Sequence, residues 1–189
     1  TLSDLPSWLS LNANGQLSGT APDAAAGQYR VKLTATDDDS SPLSQSTMFD
    51  ITVPTHYAAK VVDGPLAYAK VFVDQNDNLV WDTGEDSVLT NAQGSFDLFS
   101  SQPGDIVVTT DSQTRDTFSG VVVSGLTLAT PDGATVITPV TTLLTLLTDS
   151  TTVVGVTVSG LNLTDAQTLL KSALGLPSVD LLTFDPSSN

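Results

Sequence analysis

Between residues 74 and 85 the chain carries oxygen-bearing side chains at almost every second position. They fall at places 1, 3, 5, 9 and 12 of a twelve-residue segment, and place 7 offers a backbone carbonyl. In order, the six positions are Asp74, Asn76, Asn78, Val80, Asp82 and Glu85. A hard divalent cation needs about six to eight oxygen ligands at roughly 2.3–2.6 Å, and a glutamate at the last place can supply two of them. The spacing therefore predicts a Ca²⁺-binding loop built from these six residues.

The residue at place 6 and the flanking segments set this loop apart from a helix-flanked EF-hand. Place 6, where a sharp turn favours glycine, is Leu79. Residues 69–73 and 87–90 are rich in types that favour strands. We therefore expect the loop to join two strands, with a different backbone turn at Leu79. The alternative is a solvated acidic turn, because Asp and Asn are common in turns of every kind.

The composition favours cations as partners. The 189 residues include 21 acidic and six basic side chains, which gives a formal net charge of −15. Such a charge disfavours nucleic acid and anionic membrane surfaces as partners. The chain has no Cys, so it forms no disulfides and has no thiol chemistry. No apolar run approaches the roughly 18 residues that a membrane span needs.

The residues needed for nucleophilic catalysis are scarce. Without Cys and with His56 as the only histidine, neither a Ser-His-Asp nor a Cys-His arrangement can be assembled. The acidic residues cluster in turns rather than at the strand ends that would line a cleft. We therefore expect a protein that is not an enzyme.

The first fifty residues alternate apolar and polar side chains in short runs. Tyr29, Val31, Leu33 and Ala35 should face a core while their neighbours face solvent. The segments L-P-S-W-L-S-L-N, G-Q-L-S-G-T-A-P and G-Q-Y-R-V-K-L-T-A-T-D resemble the second half of the cadherin-like, Ig-type repeats of long bacterial surface proteins. The resemblance implies that residues 1–54 are the C-terminal half of such a repeat. The missing strands would lie upstream, or the segment would pack on the next module.

An acidic run ends the third of these strands. In cadherin-like repeats, carboxylates in this region can bind calcium between modules, so the resemblance makes Asp37 and Asp39 candidates for a second metal site. A solvated loop is the alternative.

The central part of the chain resembles a second family. The sequence V-V-D-G-P-L-A-Y-A-K-V-F-V-D-Q-N-D-N-L-V-W-D-T-G-E, followed by T-N-A-Q-G-S-F-D-L, is similar to the calcium-binding B-type repeats of Gram-positive surface proteins and to modules of RTX adhesins. This implies an Ig-like or prealbumin-like β-sandwich over residues 58–124, with the loop at the family's calcium positions. We expect further strands at residues 106–110 and 118–123, and expect Trp81 to pack on the sandwich rather than present itself to a ligand.

Residues 125–189 change to a helical pattern. Thr138 and Pro139 predict a helix N-cap followed by proline at the first helical position. A capping box starting at Thr164 predicts a second helix, which Gly175 would end. Both passages resemble the helical appendix of RTX adhesin modules, so we expect a helical hairpin packed on the sandwich.

These patterns together predict a mainly β protein of Ig-like or prealbumin-like sandwich modules with a C-terminal helical hairpin. The resemblances imply a calcium-stabilised extracellular segment of a bacterial surface adhesin that serves cell adhesion and biofilm formation as a scaffold or spacer. Its partners would be neighbouring modules of the same chain, and we expect a monomer. The half-repeat also fits a host module into which another domain is inserted. The alternatives are a module that binds a glycan or peptide, and an accessory domain of a secreted polysaccharide-degrading enzyme.

Overall fold

A computed structural model describes residues 2–3, 5–62, 64–131, 133–149, 151–153, 156–158, 160–176 and 178–186. The chain forms two compact units. The first comprises Thr1–His56 together with Phe99–Ser101, and the second comprises Tyr57–Leu98 and Gln102–Asn189. The predicted division into residues 1–54, 58–124 and 125–189 stays a prediction.

The first unit consists of short strands and one long hairpin. Its strands are β1 (Leu2–Ser3), β2 (Leu9–Leu11), β3 (Leu17–Gly19), β4 (Gly27–Thr36) and β5 (Ser44–Val53). β2 pairs with β3, and β1, β4 and β5 form a three-stranded antiparallel sheet in that order. The hairpin of β4 and β5 keeps one register over ten residue pairs, from Gly27 opposite Val53 to Thr36 opposite Ser44.

Only part of the apolar face of this hairpin is covered. Trp8 packs edge-on against Tyr29 with ring centroids 5.4 Å apart, and Val31 is fully buried. Leu33 on the same face is 36% exposed, and Ala35 is exposed. The expectation of a continuously buried face is therefore correct at one end of the strand and wrong at the other. In the described residues nothing covers the second half of this face.

The rest of the chain contributes eleven strands and two helices. The strands are β6 (Thr55–Val61), β7 (Leu66–Ala67), β8 (Lys70–Asp74), β9 (Ser87–Leu89), β10 (Ser95–Ser100), β11 (Asp105–Thr109), β12 (Arg115–Asp116), β13 (Thr127–Thr130), β14 (Val136–Ile137), β15 (Thr151–Val153) and β16 (Val156–Val158). The helices are α1 (Pro139–Thr148) and α2 (Leu163–Leu174).

Two sheets pack face to face to form the main core. One has the order β10-β6-β14 and the other the order β13-β11-β8-β9. Alternate residues of their strands meet between them, because successive side chains of a strand point to opposite faces. The buried side chains of this core are Val61, Leu66, Ala69, Val71, Val73, Phe96, Leu98, Ile106, Val108, Leu128 and Ile137. The predicted mainly β sandwich with helices at its C-terminal end is confirmed.

The helices form the predicted hairpin and cover one edge of a sheet. α1 and α2 contact each other around buried Leu144, Ala166 and Leu170. From α1, the Thr142 hydroxyl accepts a hydrogen bond from the Ala129 N–H at 3.0 Å, and the Thr141 hydroxyl donates to the Ala129 carbonyl at 3.0 Å. Ala129 belongs to the edge strand β13. The threonine hydroxyls of α1 therefore form hydrogen bonds with a backbone N–H and carbonyl that would be unpaired at an open sheet edge.

Two local predictions need correction. Asn162, not Thr164, caps α2, because its side chain accepts from the Asp165 N–H and the helix begins at Leu163. Residues 118–123 do not form a strand. Instead the Asp116 carboxylate accepts the N–H groups of Phe118 and Ser119, which folds the segment into a tight turn. Thr138 as the cap of α1 and Gly175 as the left-handed end of α2 are both confirmed.

No helix in the described part of the chain is long and apolar enough to cross a bilayer.

The cap of α1 is buried and can be tested directly. The Thr138 hydroxyl accepts the Thr141 N–H at 3.1 Å in a fully packed site. Thr138→Val keeps the shape but leaves that N–H without an acceptor, so we expect a loss of about 1–2 kcal/mol in the free energy of unfolding, measured by urea denaturation. The matched control is Thr168→Val on α2, whose exposed hydroxyl bonds only a helical carbonyl. It should change stability by less than about 0.5 kcal/mol, and an equal loss in both variants would contradict a special role for Thr138.

Candidate metal-binding loop

The candidate loop connects two neighbouring antiparallel strands of the sandwich. β8 ends at Asp74, the first ligand position, and β9 begins at Ser87, two residues after the last. The strands pair from Lys70 opposite Leu89 to Phe72 opposite Ser87. A loop flanked by strands was predicted and is confirmed. Because both flanks belong to the core sheet, the two ends of the loop are held at a fixed separation.

The two terminal carboxylates are buried and bind the backbone of the loop. Asp74 is fully buried, and its Oδ2 accepts the Leu79 N–H at 2.7 Å while its Oδ1 accepts the Asn76 N–H at 3.2 Å. Glu85 is 9% exposed. Its Oε1 accepts the Gln75 N–H at 2.9 Å and its Oε2 accepts the Asp82 N–H at 2.9 Å. Asp74 therefore holds the first half of the loop, and Glu85 links the end of the loop to its beginning through Gln75.

Three further ligand positions meet at one point. The side-chain amides of Asn76 and Asn78 both donate to Oδ2 of Asp82, at 2.9 and 2.8 Å. These two hydrogen bonds hold the pKa of Asp82 below its ordinary value. Rotating an amide by half a turn exchanges its nitrogen for its oxygen with little change of shape. Places 3, 5 and 9 can thus present three oxygens to a common centre.

The donor set of the loop suits a hard cation. No three acidic or histidine side chains in the described residues are close enough to hold a metal by themselves. A cation here would also depend on the amide oxygens of Asn76 and Asn78 and on the carbonyl of Val80. Oxygen ligands of mixed charge are typical of Ca²⁺ sites. The residues present therefore fit this ion.

Leu79 at place 6 adopts the backbone conformation that glycine usually takes. Its φ is 60°, in the left-handed region, so the expectation of a different turn at this residue is wrong. The left-handed region costs a residue with a Cβ roughly 1–2 kcal/mol. The Leu79 side chain packs against the small cluster of Phe72, Val107 and Ala129 on the outer face of the sheet. Burial of the leucine offsets the backbone cost and holds the loop down on the sheet.

Trp81 lies between the loop and the sheet. Its indole N–H donates to the Glu85 carbonyl at 3.2 Å, and the Lys70 ammonium lies 3.9 Å from the ring centroid. A cation at this distance is attracted by the ring quadrupole. The ring is nevertheless 39% exposed. The expected packing on the sandwich is therefore made through Lys70, and a substantial part of the indole still faces solvent.

Asp149 is a carboxylate near the loop that the sequence did not single out. It ends α1, and its backbone N–H donates to the Thr145 carbonyl at 2.9 Å. Burial, followed by the negative charges of Asp77 and Asp74, raises the pKa of Asp149. The helix thus brings one more negative charge into the field of the loop from a position 64 residues beyond Glu85. In the sequence, the only indication of Asp149 was its position at the end of a predicted helix, and many aspartates occupy such positions.

The second candidate metal site falls in the turn between β4 and β5. The Asp37 carboxylate accepts the Leu43 N–H at 3.0 Å, and the Asp37 N–H donates to the Leu43 carbonyl at 3.1 Å. Asp37 therefore closes the hairpin connection, which accounts for an aspartate at this position. Asp39 lies exposed in the same turn. A metal at Asp37 and Asp39 stays a prediction.

Comparison with known proteins supports part of this architecture. Residues 1–54 match the model of a family described as "Putative Ig domain" (He_PIG). No curated protein and no solved structure matches the chain significantly. The Ig-type character expected of residues 1–54 is thus supported by this family match, which ends close to the last residue of β5. The interpretation of the segment as half of a repeat stays a prediction.

The stabilisation from the packing of the Leu79 side chain can be separated from the cost of its left-handed backbone angle. Leu79→Gly relieves the left-handed strain but removes the contact with Phe72, so we expect a net loss of about 1 kcal/mol in unfolding free energy. The control is Asp77→Gly, because Asp77 has φ 57° and is exposed. This variant should be neutral or stabilising by up to about 1 kcal/mol. Stabilisation by Leu79→Gly in chelator would contradict the anchoring role.

The charge of Asp149 should destabilise the chelated protein. Removing it in Asp149→Asn ends repulsion with Asp74 and Asp77 and removes an anion from a helix C-terminus, so we expect Tm to rise by about 1–3 °C at neutral pH. The gain should shrink as pH falls through the raised pKa, because the wild-type carboxyl then becomes protonated in the folded state.

The control is Asp165→Asn, which removes the same charge from the first turn of α2, where an anion is favourable. Its Tm should be unchanged or lower. A rise of equal size in both variants would point to net charge rather than to the neighbourhood of the loop.

Proposed function

We propose that the loop of residues 74–85 binds Ca²⁺ and that the protein is a calcium-stabilised structural module of a bacterial surface adhesin. The observation that carries the proposal is the pair of buried carboxylates, Asp74 and Glu85, at the two ends of a loop with four further oxygen ligands in register. Burial of carboxylates is costly unless they are paired, hydrogen-bonded or bound to metal. Here the loop amides supply the hydrogen bonds, and a cation would supply the opposite charge.

The field of the whole protein favours the same ion. A net charge of −15 repels itself in the compact state, and a bound divalent cation reduces that repulsion where acidic groups are densest. Because the ligands come together only when the two strands pair, the ion would bind the folded state preferentially. Preferential binding of this kind adds directly to the free energy of unfolding.

The role as a scaffold among neighbouring modules rests on the first unit. A sheet normally buries one face against another layer. Among the described apolar residues of this unit only Ala25 and Val31 are buried, while Leu33 on the same face as Val31 is 36% exposed and Leu43 in the hairpin connection is 77% exposed. Together with the Ig-domain match over residues 1–54, this favours a repeat completed by another part of the same long polypeptide. An interrupted repeat of this kind suits a host for an inserted domain.

No catalytic activity is part of the proposal. The only histidine, His56, stacks on Phe99 at 4.4 Å and faces Asp23 at 3.4 Å, which gives it a structural setting. Extracellular placement on the bacterial surface is part of the proposal, and it is supported by the resemblance to adhesin modules and by the suitability of millimolar extracellular calcium for a loop of this type.

Calcium-dependent melting tests the proposal. At free Ca²⁺ about 100 times the dissociation constant, binding to the folded state alone should add about 2.7 kcal/mol to the unfolding free energy. For a protein of this size that is a rise in Tm of roughly 5–10 °C relative to chelator. Mg²⁺ at the same concentration should produce much less, because it demands near-octahedral geometry and keeps its own waters.

The isosteric double variant Asp74→Asn, Glu85→Gln should abolish the calcium shift. The matched control, Asp38→Asn with Asp39→Asn, removes two exposed charges from the first unit, one of them a carboxylate of the second candidate site. If calcium raises the Tm of this control variant as much as that of the wild type, the stabilisation is assigned to residues 74–85. An undiminished shift in the first variant, or a wild-type protein indifferent to calcium, would refute the proposed loop.

A further inference from the structure

A shallow groove lies on the outer face of the four-stranded sheet, beside the loop. Lys70 is opposite Thr109, and Thr109 is opposite Thr127, so these three side chains form a row across β8, β11 and β13. Leu79 and Trp81 of the loop form one wall. The cavity has a volume of about 390 Å³, within the range of small-molecule sites.

Three polar side chains that line the groove make no hydrogen bond or ion pair with the described residues. In the described part of the chain, the hydroxyls of Thr109 and Thr127 make no hydrogen bond, and Lys70 has no carboxylate within 4.0 Å. Asp111 at the rim accepts the Gln113 N–H through Oδ1. The Lys70 ammonium contacts the Trp81 ring instead of an acid. The groove thus combines two hydroxyls, an ammonium and a carboxylate with a partly exposed indole.

We infer that this groove is a binding site for a neutral saccharide. Hydroxyl and charged side chains can donate to and accept from sugar hydroxyls, while Val80 and the part of the indole that Lys70 leaves exposed offer apolar surface to the C–H groups of a pyranose ring. The net charge of −15 disfavours acidic polysaccharides, which leaves neutral hexoses as the class the site would take.

The groove is coupled to the proposed metal loop, and this part of the inference depends on the proposed function. Three consecutive loop residues, from Leu79 to Trp81, line the cavity, and Val80 is itself a proposed ligand through its carbonyl. The Trp81 indole is held by the carbonyl of Glu85, another proposed ligand. Calcium would fix the wall of the groove before the sugar arrives and so lower the ordering cost of binding.

Saturation-transfer NMR against neutral oligosaccharides of glucose, galactose, mannose and fucose tests the inference, with oligogalacturonate as the acidic comparison. The whole 189-residue chain is used, in saturating Ca²⁺ and in chelator. We expect at least one neutral oligosaccharide to bind in calcium, oligogalacturonate to bind more weakly, and affinity to fall about tenfold in chelator.

The variant Thr109→Val, Thr127→Val removes both hydroxyls while preserving shape and strand preference, and should weaken binding roughly tenfold with the calcium-induced Tm shift intact. Thr52→Val, an exposed strand position in the first unit, is the matched control and should bind like wild type. If the double variant misfolds, Lys70→Gln serves in its place, with the same expected loss.

The outcomes separate the two proposals. If calcium raises Tm but no neutral oligosaccharide binds, the proposed saccharide site is refuted and the proposed calcium loop is not. Saccharide binding that the hydroxyl variants leave unchanged, or capture of peptides from a displayed library in place of sugars, also overturns it. Absence of the calcium shift overturns the proposed function, and binding of equal strength in calcium and chelator overturns the coupling of the groove to the loop.

Discussion

The buried carboxylates of Asp74 and Glu85 are the constraint on which the loop depends. Asp74 ends β8, and Glu85 lies two residues before β9 of the same sheet. Both accept backbone N–H groups of the loop, Asp74 from Leu79 and Glu85 from Gln75 and Asp82. Their hydrogen bonds close a twelve-residue segment into a compact turn, although most of its other residues are exposed. Without these bonds, nothing in the described residues would offset the desolvation of two negative groups.

The leucine at place 6 links this polar arrangement to the hydrophobic part of the protein. A glycine would take the same backbone angle at no steric cost, but it would leave Phe72 and Val107 without a cover on the outer face of the sheet. Leu79 adopts the strained left-handed angle, and its side chain covers Phe72 and Val107. The loop is therefore a second layer over part of the sheet, which is how Trp81 comes to contact Lys70 and to form one wall of a groove.

The two units differ in how completely their sheets are buried. In the second unit both sheets share one core, and α1 covers the edge strand β13 through its threonine hydroxyls. In the first unit the long hairpin has a single fully buried side chain, Val31, while Leu33 and Ala35 further along the same face of β4 are exposed. The hairpin of the first unit therefore exposes apolar side chains on a face that a sheet normally buries against another layer.

The sequence by itself determined the features that rest on local chemistry. The register of the loop, the strands on either side of it and the Thr138-Pro139 start of α1 all follow from residue types at fixed spacing, because strand alternation and capping depend on near neighbours. The mainly β architecture followed from the same periodicities. The cap of α2 was placed two residues late, because Asn162 and Thr164 are both good capping residues and only the packing of the helix selects one.

Only the tertiary structure decided how distant segments meet. The Leu79 side chain is covered because Phe72, Val107 and Ala129, from three different strands, lie together beneath it. Asp149 comes near the loop because α1 packs along β13, and no spacing in the sequence relates it to Asp74. Burial and long-range charge depend on the positions of all the elements at once, so local pattern cannot supply them.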